Sequence, residues 1–369
     1  MLIKSLTFLI ILQQINFISS QLPFGNETLE VVHVIFRHGD RTPDKLYKND
    51  AYSEKSFYPF GIGELTNPGK QRSFQLGKTL RSTYGSFIGP QYTPGMVGTL
   101  ASHVPRTHTA LQLVLAGLFP PTNKLRWNED LDWNPIPYNY LTMNENLVLA
   151  PDKSCPKYSK LRKQILDASW QTDPIYHKYK NIISKLQSLT GETDDIFEMG
   201  NNLFSTFKAE KDYGLPLPEW SKDFFPLALE EISKESWKYS TGIGKLKILY
   251  PGFLISNIVN NTYAKILGNP KLKRTKIFLY SGHDNNIASI LFFLDSFFPH
   301  NPNYCSQIII EVHNMVGTRF LKFMHRDDTL GVYRVIPVPN CGEYCPFIDF
   351  MQKYKNVLDT NMLRELCGK

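Results

Sequence analysis

Little in this sequence runs long. Beyond the first twenty residues no apolar stretch approaches the roughly 20 residues that a membrane-spanning helix needs, so no stable membrane anchor is expected. No run of five Lys or Arg occurs. The formal charge of +7, from 41 basic and 34 acidic residues, is therefore scattered rather than gathered into a face for nucleic acid, and no nucleic-acid partner is expected. Cysteine is scarce, with five in 369 residues, and the paired clusters that a four-ligand zinc site requires are missing. There is no internal repeat and no low-complexity tract. With 42% hydrophobic and 20% charged residues, the composition excludes a disordered chain and suits one large domain, or a core with a sizeable insert.

What is present begins at the N-terminus. Met1 to Lys4 is short and basic, Leu6 to Ile18 is mostly apolar but broken by Thr7, Gln13, Gln14 and Asn16, and Ser19-Ser20 are small. This three-part pattern predicts a secretory signal peptide over residues 1–20 and a secreted protein. The polar C-terminus, Glu365 to Lys369, carries no lipid-anchor pattern. Two sequons fit the same address and predict glycosylation at Asn26 and Asn260 on surface loops. In an oxidising compartment Cys155, Cys305, Cys341, Cys345 and Cys367 read first as disulfide partners, with one thiol left over. Cys341 and Cys345 suggest a small local loop.

Hydrophobic patterning predicts an α/β fold. Glu30 to Phe36 is β-branched and reads as a buried strand. Lys70–Tyr84 and Thr107–Leu118 read as helices, the second stopped by Phe119-Pro120-Pro121. From Pro156 to Ser240 the chain is polar, aromatic and helical in pattern. We expect an α/β core over residues 21–155, a helical cap insert over 156–240 and the rest of the core over 241–369. In the second core part, Lys276–Tyr280, Gln307–Val312, Arg319–Met324 and Tyr333–Val338 read as strands. Ile287–Leu294 reads as a helix capped by Asn285 or Asn286. A strand followed by a polar loop and a helix occurs at Arg37 and again at Ser281. If those strands are adjacent and parallel, both loops open onto one crevice.

The first of these loops is Arg37-His38-Gly39-Asp40-Arg41-Thr42-Pro43. Metal-free hydrolysis of a phosphate ester needs cations to grip the phosphate, an in-line nucleophile and an acid for the leaving alkoxide. Arginine's planar fork matches two phosphate oxygens, and Arg37 and Arg41 flank a histidine. A neutral imidazole is a competent nucleophile at mildly acidic pH, and nearby guanidinium charge disfavours its protonation. Gly39 permits close backbone approach. The five positions Arg-His-Gly-x-Arg-x-Pro would arise by chance on the order of once in 10,000 such chains. The second loop supplies His283 and Asp284, which read alone as a helix start but also make a reasonable anion-binding and acid pair. Arg106 alone reads as an ordinary arginine beside a helix. His33 reads as a satisfied sheet residue, and His103 and His108 as rim residues. His300 and His325 are not needed for this chemistry.

The sequence resembles the histidine acid phosphatases, the branch of the histidine phosphatase superfamily with the Arg-His-Gly-x-Arg-x-Pro signature, and is most similar to the secreted insect venom-type enzymes. The resemblance covers nearly all of the chain after residue 20. It includes Gly63-Glu64-Leu65-Thr66, Gln75-Leu76-Gly77, Arg106-Thr107, Leu118-Phe119-Pro120-Pro121, Tyr280-Ser281-x-His283-Asp284 and the Cys341/Cys345 pair. It implies a three-layer α/β core with a helical cap and a secreted acid phosphatase acting through a phosphohistidine. His38 matches the nucleophile and Asp284 the proton donor. Arg37, Arg41, Arg106 and His283 match the phosphate-binding residues. No metal or organic cofactor is implied. The implied partners are small-molecule or protein phosphate monoesters, and a homodimer is implied on the same ground. The resemblance also implies bridges Cys155–Cys367 and Cys341–Cys345. The usual partner of Cys305 corresponds here to Ala209, so Cys305 is expected to be free or to pair between chains. A phytase-like or other specialised phosphohydrolase is the nearest alternative. A venom or saliva effector that binds phosphate esters without turnover is a more distant one, since His38 and Asp284 are both kept.

Overall fold

The computed structural model describes residues 25–369; the expected signal peptide, residues 1–20, lies outside them. A seven-stranded mixed sheet organises the molecule. Its path runs β2 (Val97–Ala101), β3 (Ile277–Gly282), β1 (Leu29–Arg37), β4 (Gln307–Met315), β5 (Thr318–Arg326) and β6 (Arg334–Ile336), with the short β7 (Cys345–Pro346) also on β5. β2, β3 and β1 are mutually parallel, and the remaining pairs are antiparallel.

The fold is α/β in three layers, and strand alternation produces the layering. Successive side chains of a strand point to opposite faces. Val31 and Ile35 join a core with Leu254, Ile258, Ile287 and Leu291, from helices α6 (Leu246–Ile266) and α7 (Asp284–Phe293). Val32, Val34 and Phe36 join the opposite core with Leu76, Leu80, Leu111 and Val114, from α1 (Asn67–Ile88) and α2 (Pro105–Leu118). β1 is buried along nearly its whole length, as a strand covered on both faces must be. His33 lies on the α6 side, its Nε2 2.9 Å from Thr262 Oγ1 and its ring stacked on Phe278. It is the satisfied sheet residue that its position predicts.

Several bounds differ from the sequence reading. The helix expected over 70–84 spans Asn67–Ile88, because Thr66 caps it (its side chain accepts from Gly69 N) and Pro68 is accepted in its first turn. The strand expected over 333–338 shortens to three residues. β2 was not anticipated; Val-Gly-Thr-Leu-Ala is short and carries a glycine, which weakens any strand signal. α7 starts at Asp284, not Ile287. Its cap position is His283, and Asn286 reaches back to accept from His283 N at 2.9 Å.

Between residues 158 and 237 the described residues form helices and no strand. The longest are α3 (Tyr158–Ser169), α4 (Ile196–Tyr213) and α5 (Leu227–Trp237). They gather small apolar clusters of their own, one around Leu186, Met199, Leu203, Phe207 and Leu229. Tyr47, from the chain just after the Arg37–Pro43 motif, enters that cluster and packs edge-on against Phe207 and Trp220. Cys155–Cys367 ties the start of this region to the C-terminal helix, and Cys341–Cys345 closes a local loop. Cys305 has no partner cysteine within the chain and is fully buried. Asn26 lies in a turn before β1. Asn260 is exposed but sits inside α6, not on a loop, and Thr262 of the same sequon is buried against His33.

Candidate active site

The three parallel strands end in register. Ala101 of β2 pairs with Ser281 of β3, and Arg37 of β1 pairs with Gly282. One step further, Ser102 N donates to Ser281 O and His38 N to Gly282 O, at 3.0 and 3.2 Å. The His38, Ser102 and His283 loops therefore leave the sheet at one edge. They open into a cavity of about 890 Å³ lined by Arg37, His38, Arg41, Arg106, His283 and Asp284, among others. All six residues singled out from the sequence come together.

The loop after His38 is locked to α1. A Cβ on Gly39 would fall 2.1 Å from Gly69 O, and one on Gly69 would fall 1.9 Å from Asp40 O. Two facing glycines thus let the loop lie directly on the helix N-terminus. Asp40 accepts from Arg72 Nε and Nη2, at 2.7 and 3.2 Å, and its carbonyl accepts from Thr66 N. This clamp fixes the backbone on which His38 and Arg41 stand.

His38 is buried, with only 2% of its surface exposed. Its Nε2 lies 3.0 Å from Arg106 Nε. A guanidinium only donates, so Nε2 must hold the lone pair and Nδ1 the proton. Nδ1 accordingly donates to Gly39 O at 2.8 Å. Burial, then the charges of Arg106 and Arg37, hold the imidazole well below its ordinary value of 6.5. His38 is thus a neutral ring in the cavity lining, with its Nε2 lone pair resting on Arg106 Nε.

The guanidiniums are held from behind. Arg37 donates to Asp284 Oδ2 at 2.9 Å and to Pro302 O, and lies 4.4 Å from the centre of the Tyr304 ring. Arg41 donates to Thr42 O and to Ser205 Oγ of α4. Arg106 pairs with Asp44 at 2.7 Å. The Nε atoms of Arg37 and Arg41 are buried without a hydrogen-bond partner. Such orphaned donors are costly unless a ligand takes them. Three arginines around one imidazole repel a metal cation and suit an oxyanion.

His283 Nε2 lies 2.8 Å from Ser102 Oγ, which in turn lies 3.0 Å from Thr107 Oγ1. Burial and the Arg106 charge lower its pKa to about 3. For Asp284, burial pushes the pKa up, but Arg37, His283 and Arg41 outweigh it and the net shift is downward. Asp284 also accepts from Asn285 N at 2.9 Å.

Four contributors escaped the sequence reading. Asp44, Ser102, Tyr304 and Ser205 each sit beside a site residue in space, and only Asp44 adjoins the Arg37–Pro43 motif in sequence. Its place directly after Pro43 was the one available signal. Asp44 is raised by burial but held down to about 2 by Arg41 and Arg106. His103 lines the cavity; His108 turns away, with Nε2 2.7 Å from Ser102 O.

A sequence model of the histidine phosphatase superfamily (branch 2) matches residues 28–326. The chain belongs to that family. The venom acid phosphatase Acph-1 of Apis mellifera is 37% identical to it over 337 residues, covering 90% of this chain and 86% of that protein. The prostatic acid phosphatase of Rattus norvegicus is 31% identical over 351 residues, covering 94% and 91%. Among solved structures, the apo phytase of Hafnia alvei superposes with a TM-score of 0.65 over 91% of this chain and 98% of that one. Its 16% identity makes this a likeness of fold alone. Kinship with named acid phosphatases over most of the chain makes this histidine phosphatase an enzyme that hydrolyses phosphate monoesters. Among the described residues no helix is long and apolar enough to cross a membrane.

Proposed function

We propose that the protein is a secreted acid phosphatase in which His38 Nε2 attacks phosphorus and Asp284 supplies the leaving-group proton. The observation that carries this reading is the His38 environment. Its proton is tied to Gly39 O, its Nε2 lone pair rests on Arg106 Nε at the cavity wall and is freed when Arg106 turns to the phosphate, and Arg37 and Arg41 stand beside it. In the first step the Nε2–P bond forms, the P–O ester bond breaks, and the Asp284 proton goes to the departing oxygen. In the second, water oxygen bonds phosphorus, the N–P bond breaks, and a water proton returns to Asp284, leaving inorganic phosphate. Arg37, Arg41, Arg106 and His283 hold the phosphate oxygens through both steps.

The Arg37 guanidinium facing Asp284 favours its ionised form. A bound phosphate dianion shares that guanidinium and adds negative charge nearby. Both effects raise the Asp284 pKa and load the acid only when substrate is present.

Five lysines line the cavity walls. Lys45, Lys153, Lys208 and Lys234 each pair with a carboxylate, whereas Lys211 lies over the Phe225 ring. Positive charge is densest on the floor formed by Arg37, Arg41 and Arg106. Secretion rests on the N-terminal pattern and on kinship with a venom enzyme.

The test is turnover of an aryl phosphate between pH 4 and 8, with the full chain expressed in insect cells. Activity should appear in the medium, and His38→Ala should remove it. Activity in the His38→Ala protein would refute the role of His38. Retention of the full chain inside the cells would refute secretion.

A further inference from the structure

Two histidines that the phosphatase chemistry does not use meet at the rim of the same cavity. His300 lies on the connection from α7 to β4, His325 near the end of β5, and Asp327 just after it. One nitrogen from each imidazole and one carboxylate oxygen all lie within 4.8 Å of one another. The Nε2 atoms of His300 and His325 stand 3.6 and 3.8 Å from Asp327 Oδ1.

We propose that His300, His325 and Asp327 form a binding site for a borderline divalent transition ion of the Zn²⁺ class, at the rim of the cavity and built from none of the phosphate-binding residues. His300 carries the argument. Its side chain is about 10% exposed, yet its Nε2 has no hydrogen-bond partner. A buried imidazole that only packs would pair that atom. Its Nδ1 lies 2.7 Å from Phe298 O; a carbonyl only accepts, so the proton is on Nδ1 and Nε2 is the bare lone pair. A proton donated to a backbone carbonyl from the far ring nitrogen is the usual support of a metal-binding histidine. Asp327 is likewise oriented, accepting from Asn303 N at 3.1 Å and Asn303 Nδ2 at 2.9 Å. His325 Nε2 rests 3.2 Å from Ser306 Oγ and would exchange that contact for the ion.

Two imidazoles and one carboxylate suit zinc, at bonds of about 2.0–2.2 Å. The ligand atoms need to close by only about 1 Å. His300 and Asp327 line the cavity, so a fourth position faces solvent. The nearest cations have partners of their own: Arg334 lies over the Phe298 ring, and Lys234 pairs with Glu230.

The test is titration of the intact protein with Co²⁺ as a spectroscopic stand-in, followed by displacement with Zn²⁺. One Co²⁺ per chain should give visible ligand-field bands that Zn²⁺ removes and Mg²⁺ does not. His300→Ala and Asp327→Asn should each weaken binding by more than about tenfold, and His38→Ala should leave it intact. Asp327→Asn keeps the shape and serves if His300→Ala fails to fold. No saturable band, wild-type affinity in Asp327→Asn, or loss of binding in His38→Ala would overturn the site.

Discussion

At the residue scale the site turns on which groups hold protons. His38 is neutral because it is buried among guanidiniums, so acid would not remove the proposed nucleophile as it would a free imidazole. The acid limb of kcat/KM should therefore fall well below the ordinary imidazole value of 6.5. A limb at 6.5 would mean that His38 titrates freely. In the proposed mechanism Asp284 has the opposite task and gains a proton when substrate arrives. Asp284→Asn should lower kcat/KM, which reports the first step alone, by about 10²–10⁴-fold for alkyl phosphates, whose leaving groups need protonation. For a nitrophenyl ester, which departs unaided, the loss should be far smaller. Equal losses for both would take Asp284 out of the acid role.

The residues of the motif were legible because their spacing in sequence matches their spacing in space. Arg37, His38 and Arg41 lie on one loop, and His283 and Asp284 on another. Arg106 was not legible by chemistry; only the family resemblance pointed to it, because its partners His38 and Asp44 reach it through folding. His300 and His325 were passed over for the same reason. They are 25 positions apart and meet only because the connection after α7 folds back over the end of β5.

At the element scale, the strand-loop-helix units were read correctly in kind and misplaced at their ends. Periodicity reports the middle of a helix, where apolar residues recur. Caps such as Thr66 and His283 are polar and leave no periodic mark. β2 was missed because Gly98 interrupts a five-residue strand, although its end supplies Ser102 to the site. The clamp between the His38 loop and α1 is an element-scale device with a sharp test. Gly39→Ala puts a methyl group against Gly69 O and must shift the loop. A displacement of about 1 Å at the nucleophile costs on the order of 10²-fold in rate. Turnover should fall by that order, while near-native melting would show that the fold persists. Unchanged kcat/KM would show that the loop tolerates the displacement.

At the scale of the whole molecule, helix α4 meets the loop beyond the motif through two carboxyl groups. Both Glu210 carboxyl oxygens and Asp50 Oδ2 are buried and lack a hydrogen-bond donor. Burial, then the Asp50 charge, raises Glu210 from its ordinary 4.5 to about 8. With the folded value above the unfolded one, this contribution to stability is complete below about pH 4.5. It is lost as pH rises towards and through 8. His33, His38 and His283 act in the other direction: their values are depressed, so their contribution is lost as pH falls below 6.5. The difference between wild type and Glu210→Gln isolates the carboxyl pair. Melting temperatures should converge near pH 5 and separate by several degrees near pH 8, the variant being the more stable. Parallel curves would exclude a raised Glu210. The pair was invisible in the sequence, since Asp50 and Glu210 are 160 positions apart.

The central claim is that phosphate passes through a bond to His38 Nε2. The direct measurement is a rapid alkaline quench of the enzyme during turnover of a phosphate ester, followed by peptide mapping by mass spectrometry. The account predicts one phosphoryl group on the peptide carrying His38. It also predicts accumulation in Asp284→Asn with a nitrophenyl ester, where the second step loses its base. A phosphoryl group on another residue, or turnover by His38→Ala without any labelled peptide, would contradict it.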